Sequence, residues 1–123
     1  MRKLLALLIL LIPTFGFAQD AADSTVTFRF VAADDVFYIP WSGNGAELQR
    51  LYALVDEYRA EISAGAMPVQ VDGYCASLPT RRENLRTAFV RASRVKSELI
   101  VRKGLKEADF ITANYPRAYH PFV

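Results

Sequence analysis

The segment Val71–Val95, "VDGYCASLPTRRENLRTAFVRASRV", concentrates the groups best able to do chemistry. It runs from a strand end through a polar loop into a basic helix. Gly73-Tyr74, Asn84 and Arg91-Ala92 are spaced to hold a small group between loop and helix. Catalysis would need more. Cys75 is the single cysteine, His120 the single histidine, and no base is specified beside either. No nucleophile–base pair or phosphate-cradling glycine loop is present, and His120 has no metal-ligand spacing. The residues therefore indicate binding rather than an enzyme, with no metal or cofactor.

The elements that must position these residues follow from periodicity. "TVTFRFV" alternates as a half-buried strand, and "VFYIP" resumes extended character after Ala33-Asp34-Asp35, as a hairpin or as one long bent strand. "WSGNG" is a turn, with Asn44 the expected N-cap of a helix whose apolar stripe is Leu48, Leu51, Tyr52, Leu54, Val55, Tyr58 and Ile62. "MPVQVDGY" is the next strand. Thr80-x-x-Glu83 opens a second helix as a capping box, and Gly104 ends it. Its expected stripe is Leu85, Ala88, Phe89, Ala92, Val95, Leu99 and Ile100. "FITANY" is a last short strand. This alternation predicts an α/β (α+β) two-layer sandwich, with two main helices packed on one face of a small mixed sheet.

Composition and charge narrow the setting. Arg2 and Lys3 precede an apolar run, Leu4 to Ile12, then Pro13 and the small-residue exit Gly16-Phe17-Ala18. That pattern is a secretory signal peptide over residues 1–18, and the run is short for a span, which takes about twenty residues. Cleavage after Ala18 would leave residues 19–123 as one exported domain with no transmembrane span. This mature chain carries 13 basic and 13 acidic residues. Residues 80–106 hold 9 basic against 2 acidic, whereas residues 19–79 hold 3 against 9. An exported chain of zero net charge is a poor nucleic-acid binder. Its basic helix is expected to be a solvated face, its charges partly paired within the molecule. Cys75 suits a buried small apolar position, an intermolecular disulfide being the alternative.

Gly73-Tyr74 at a strand end, Asn84, and Arg91-Ala92 with Val95 resemble the signature of the OmpA-like peptidoglycan-binding domain. That pattern is a strand ending Gly-His-Thr-Asp, a loop, then Asn-x-x-Leu-Ser-x-x-Arg-Ala-x-x-Val. The resemblance covers residues 36–115 and implies a periplasmic or outer-membrane-associated binding module of a Gram-negative envelope. The implied partner is the peptidoglycan stem peptide, held through diaminopimelate. By the resemblance Arg91 is the carboxylate clamp and Asn84 braces the loop, with Tyr74 and Ser77 as further ligand-binding residues. A guanidinium suits that task because it offers a carboxylate two parallel hydrogen bonds.

The chain departs from the pattern where the carboxylate for the ligand's ammonium should stand. That position is Ala76, and Tyr74 and Cys75 replace His and Thr. A missing charge-assisted contact costs about 1.5–3 kcal/mol, or one to two powers of ten in affinity. Peptidoglycan association is thus expected to be weakened or altered. The family's last strand also has no counterpart by Val123, which leaves the sheet one strand short unless "TVTFRF" fills the gap. An open sheet edge would make the chain a protein-interaction or assembly accessory, through a partner or self-association.

Overall fold

A computed structural model describes residues 4–11 and 25–120, with side chains described only from residue 25 onward. Arg2-Lys3, the exit Gly16–Ala18, the lead-in 20–24, and Pro121 and Phe122 lie outside the described residues. The elements are β1 (Leu4–Leu11), β2 (Thr25–Val31), α1 (Asn44–Glu57), α2 (Arg59–Ser63), β3 (Val69–Tyr74), α3 (Arg81–Lys103) and β4 (Phe110–Tyr115). A single 3₁₀ turn, Glu107–Asp109, leads into β4. The sheet order is β2-β1-β3-β4, with β1 antiparallel to both neighbours and β3 parallel to β4. α1 and α3 share one core with the sheet, as an α+β sandwich requires.

Period-two burial builds that core. Val26, Phe28 and Phe30 of β2 and Val69 and Val71 of β3 are fully buried. They meet Leu48, Leu51 and Val55 of α1 and Ala92, Val95 and Leu99 of α3. The helix expected as one unit over 46–62 divides at Tyr58 (φ −103°, ψ 17°), and the following α2 turns Ile62 into the core. α3 runs from Thr80, whose hydroxyl accepts from Glu83 N at 3.1 Å, to Gly104 in the left-handed conformation that favours glycine (φ 70°).

Four expectations change. Residues Leu4–Leu11 of the leader-like run are part of the sheet, and "TVTFRF" lies in the edge strand β2, paired with β1. Residues 36–40 form no strand. Phe37 and Ile39 pack on the core and Val36 and Tyr38 face solvent, so the alternation is real. It finds no ladder because α1 side chains occupy the outer edge of β2. Asn44 is not the N-cap, which falls on Gly43. Its buried amide instead accepts from Arg29 N (2.8 Å) and donates to Arg29 O and Tyr38 O (2.9 Å each). Glu47 likewise accepts from Thr27 N at 3.1 Å, so two helix side chains stand where another strand would pair. Finally, Phe89 is 56% exposed while Arg91, absent from the expected stripe, is fully buried.

β3 and α3 come into close contact at Gly73. A Cβ there would lie 2.1 Å from Ala88 O and 3.3 Å from Ala92 Cβ. The glycine is needed for space within the strand, not for a turn. Gly73→Ala should force strand and helix apart and destabilise the fold by about 3 kcal/mol, read as a lower urea midpoint.

Candidate functional site

The segment between β3 and α3 is held from within. Asn84, at the first buried position of α3, accepts from Leu78 N at 2.9 Å and donates to Leu78 O at 3.2 Å. One amide thus pairs both backbone groups of a loop residue, as a strand neighbour would. The Cys75 thiol donates to Asn84 Oδ1 at 3.3 Å, is fully buried, and packs on Ala88. That burial fits the small-apolar reading of Cys75 and leaves no accessible sulfur for an intermolecular disulfide. Ser77 Oγ accepts from Ala33 N at 2.8 Å, joining this loop to the one after β2.

Arg91 does not face a ligand. Its Nε donates to Asp34 O (2.8 Å), Nη1 to Tyr74 O (2.8 Å) and Nη2 to Val31 O (3.2 Å). The guanidinium carbon lies 5.1 Å from the Phe30 ring centroid. Three carbonyl dipoles and an aromatic face therefore solvate the cation, with no ion pair to Arg91 among the described residues. Burial lowers its pKa, and the Asp34 and Asp35 charges oppose that shift. A clamp for a ligand carboxylate needs free N–H groups at the surface. This one spends them on the ends of β2 and β3 and on the loop between.

Tyr74 also turns away from the loop. In β3, Val69, Val71 and Gly73 face the helices, so Gln70, Asp72 and Tyr74 face the opposite side. There Tyr74 stacks on Tyr115 (centroids 4.9 Å apart) and meets Tyr119 at 5.2 Å, with Arg117 over Tyr74 and Tyr115. Burial pushes the Tyr74 hydroxyl up to about 12. Asp72, beside it, is raised by burial while the hydrogen bond from Gln70 at 2.6 Å opposes the shift. Neither side chain reaches the exposed Ala76.

The four residues expected at one ligand site therefore divide. Asn84 and Ser77 organise loops, Arg91 ties strand ends, and only the main chain of Tyr74 joins them. A helical spacing was available to reveal Arg91: Asn84, Ala88, Arg91 and Val95 recur every three or four residues and all are buried. The loop Ala33–Gly43, missed as a feature, forms an open hollow of about 410 Å³ with Val31, Asp34, Tyr38, Pro40 and Trp41 on its walls. Trp41 meets Tyr38 edge-on there, with centroids 6.5 Å apart.

The basic helix is partly paired. Arg94 meets Asp35 (3.6 Å), Lys96 meets Glu107 (2.7 Å), Arg102 meets Glu98 (3.6 Å) and Lys103 meets Asp56 (2.8 Å). Arg81, Arg82 and Arg86 stand exposed on its first two turns. Among the described residues no group of His, Cys, Asp and Glu could hold a metal ion, and no helix is long and apolar enough to cross a membrane. No protein-family model, no curated protein and no solved structure matches the chain.

Arg91→Lys removes the planar fork that reaches three carbonyls in different directions. It should cost about 2 kcal/mol in urea unfolding, since a lysine keeps at most one of the three contacts and only Val31 O retains another donor, Asp34 N. Asp72→Asn tests the opposite face. A raised carboxyl pKa gives stability that is present at low pH and lost as pH rises through that pKa. Asp72→Asn should therefore raise the thermal midpoint at pH 7 and leave it unchanged below the ordinary aspartate pKa of about 3.9.

Proposed function

We propose that the chain is an exported, non-enzymatic, OmpA-like binding module facing the periplasm of a Gram-negative cell, with weakened peptidoglycan association. The observation that carries this reading is the convergence of the signature residues in the fold. Gly73 lies beneath Ala88 and Ala92, Asn84 pins the loop at Leu78, and Arg91 reaches Tyr74 O. Residues spaced along the sequence like the family's motif thus serve one strand–loop–helix unit. The weakening follows from Ala76 and from the enclosed Arg91, which leave a zwitterionic stem peptide neither of its two holders. What remains for an acidic cell-wall polymer is the exposed trio Arg81, Arg82 and Arg86. Such an attraction is long-ranged, imprecise and screened by salt.

A second reading, an assembly accessory acting through its sheet, is favoured by one observation. The strand between β2 and β3 is the segment that the sequence marks as a leader. The outer edge of β2 is covered by Asn44 and Glu47, so the sheet's openness lies at that central place and at β4.

A pull-down on purified sacculi tests the first reading. Retention at 20 mM salt should fall at least tenfold at 300 mM, and equally on changing Arg81, Arg82 and Arg86 to Glu. Free diaminopimelate should not compete. Salt-resistant retention that diaminopimelate displaces would restore the specific pocket and sink the weakened form. No retention at low salt would remove the cell wall as partner.

A further inference from the structure

β1 fills a central place in the sheet. It pairs over seven positions with β2, from Leu4↔Val31 to Leu10↔Thr25, and over four with β3, from Leu8↔Asp72 to Leu11↔Val69. Strands pack roughly 5 Å apart, so β2 and β3 stand about 10 Å apart with one strand's width between them. Processing after Ala18 would take away that strand and expose two rows of backbone donors and acceptors. Thr27 and Arg29 direct their N–H groups outward to Glu47 and Asn44. By alternation Val26, Phe28 and Phe30 direct theirs to the slot.

The slot has built walls. Arg91 joins the ends of both flanking strands, at Val31 O and Tyr74 O, and so fixes their separation at one end. β2 is tied by Asn44 and Glu47 to α1, and β3 is paired along its length with β4 and packed at Gly73 against α3. Bringing β2 against β3 would mean moving one strand about 5 Å and breaking those ties. An empty slot therefore stays a slot. Phe28, Phe30 and Val71 of the two flanking strands are fully buried in the core shared with α1 and α3, so an occupant between them meets an apolar surface on its helix side.

We propose that the gap between β2 and β3 is a strand-acceptor site, which after leader removal takes an extended aliphatic segment of another polypeptide. That segment runs antiparallel to both flanking strands, spans seven or more residues and carries no charge on the face toward the helices. The present occupant shows the chemistry: Leu-Leu-Ala-Leu-Leu-Ile-Leu-Leu, eight residues without a polar side chain. A partner is required because every other strand among the described residues already belongs to the sheet, so a second copy has none to lend. This deepens the assembly reading above and rests on the leader assignment.

The experiment starts from the folded full-length chain, with a specific protease site placed between Ala18 and Gln19 and cut after folding. Fragment 1–18 should remain bound through gel filtration. An excess of a labelled peptide of residues 2–13 should exchange into the slot one to one, and a Leu8→Pro peptide, lacking a ladder N–H, should not. At a hundred times its dissociation constant the peptide should lift the thermal midpoint of the cut, fragment-free protein by at least about 10 °C. Loss of the fragment with an unchanged midpoint and no peptide uptake overturns the proposal. A stable dimer of the fragment-free chain that excludes the peptide overturns the choice of occupant. The intact mass of protein recovered from the envelope decides the leader separately. A start at Met1 sinks that reading, while the peptide exchange still judges the slot.

Discussion

The fold depends on a buried cation that forms no ion pair among the described residues. Arg91 projects from the inner face of α3 into a place where β2 ends, β3 ends and the loop after β2 crosses over. Asp34 O and Tyr74 O take their hydrogen bonds from Arg91, and Val31 O, which already accepts from Asp34 N at 2.9 Å, takes a second. A lysine ammonium is a compact point charge that cannot fork to three acceptors in different directions, and an apolar side chain would leave Asp34 O and Tyr74 O without their donor. The cation is tolerated because dipoles and a phenyl face replace its water, at a desolvation cost visible as its lowered pKa. The same geometry withdraws it from ligand binding.

Side chains substituting for backbone recur around this point. Asn44 pairs Arg29 as a neighbouring strand would, Glu47 takes Thr27 N, and Asn84 takes both groups of Leu78. A small domain with irregular connections must satisfy its main chain somewhere, and here the helices supply the partners. That arrangement closes the outer edge of the sheet and rigidifies both loops. It leaves β4 as the sheet's open edge and β1 as the strand that joins its two halves. The architecture thus separates a fixed frame from one replaceable strand.

Much of the frame was legible in the sequence. The alternation in "TVTFRFV" and "VQVDGY", the Thr80 cap and the Gly104 stop are local signals, and tertiary structure kept them. Asn44 was misjudged because the same amide that favours an N-cap also mimics a strand, and only the nearness of Arg29 decides between them. Arg91 was placed on the ligand because its spacing from Asn84 and Val95 matches the motif that it resembles. The same spacing, with Ala88, also puts it on the buried stripe of α3, where the structure has it. β1 was invisible because one apolar run satisfies both an export signal and a central strand of a sheet. Composition does not separate those states, since both ask only for uncharged aliphatic residues.

The most direct test of this account is the exchange rate of the Arg91 Nε–H, followed by nitrogen-15 NMR with and without diaminopimelate. A guanidinium locked onto Asp34, Tyr74 and Val31 should exchange only through unfolding, orders of magnitude more slowly than the exposed Arg81, and its signal should ignore the ligand. Exchange as fast as that of Arg81, with a shift on adding diaminopimelate, would show an open clamp and contradict the structural role assigned to Arg91.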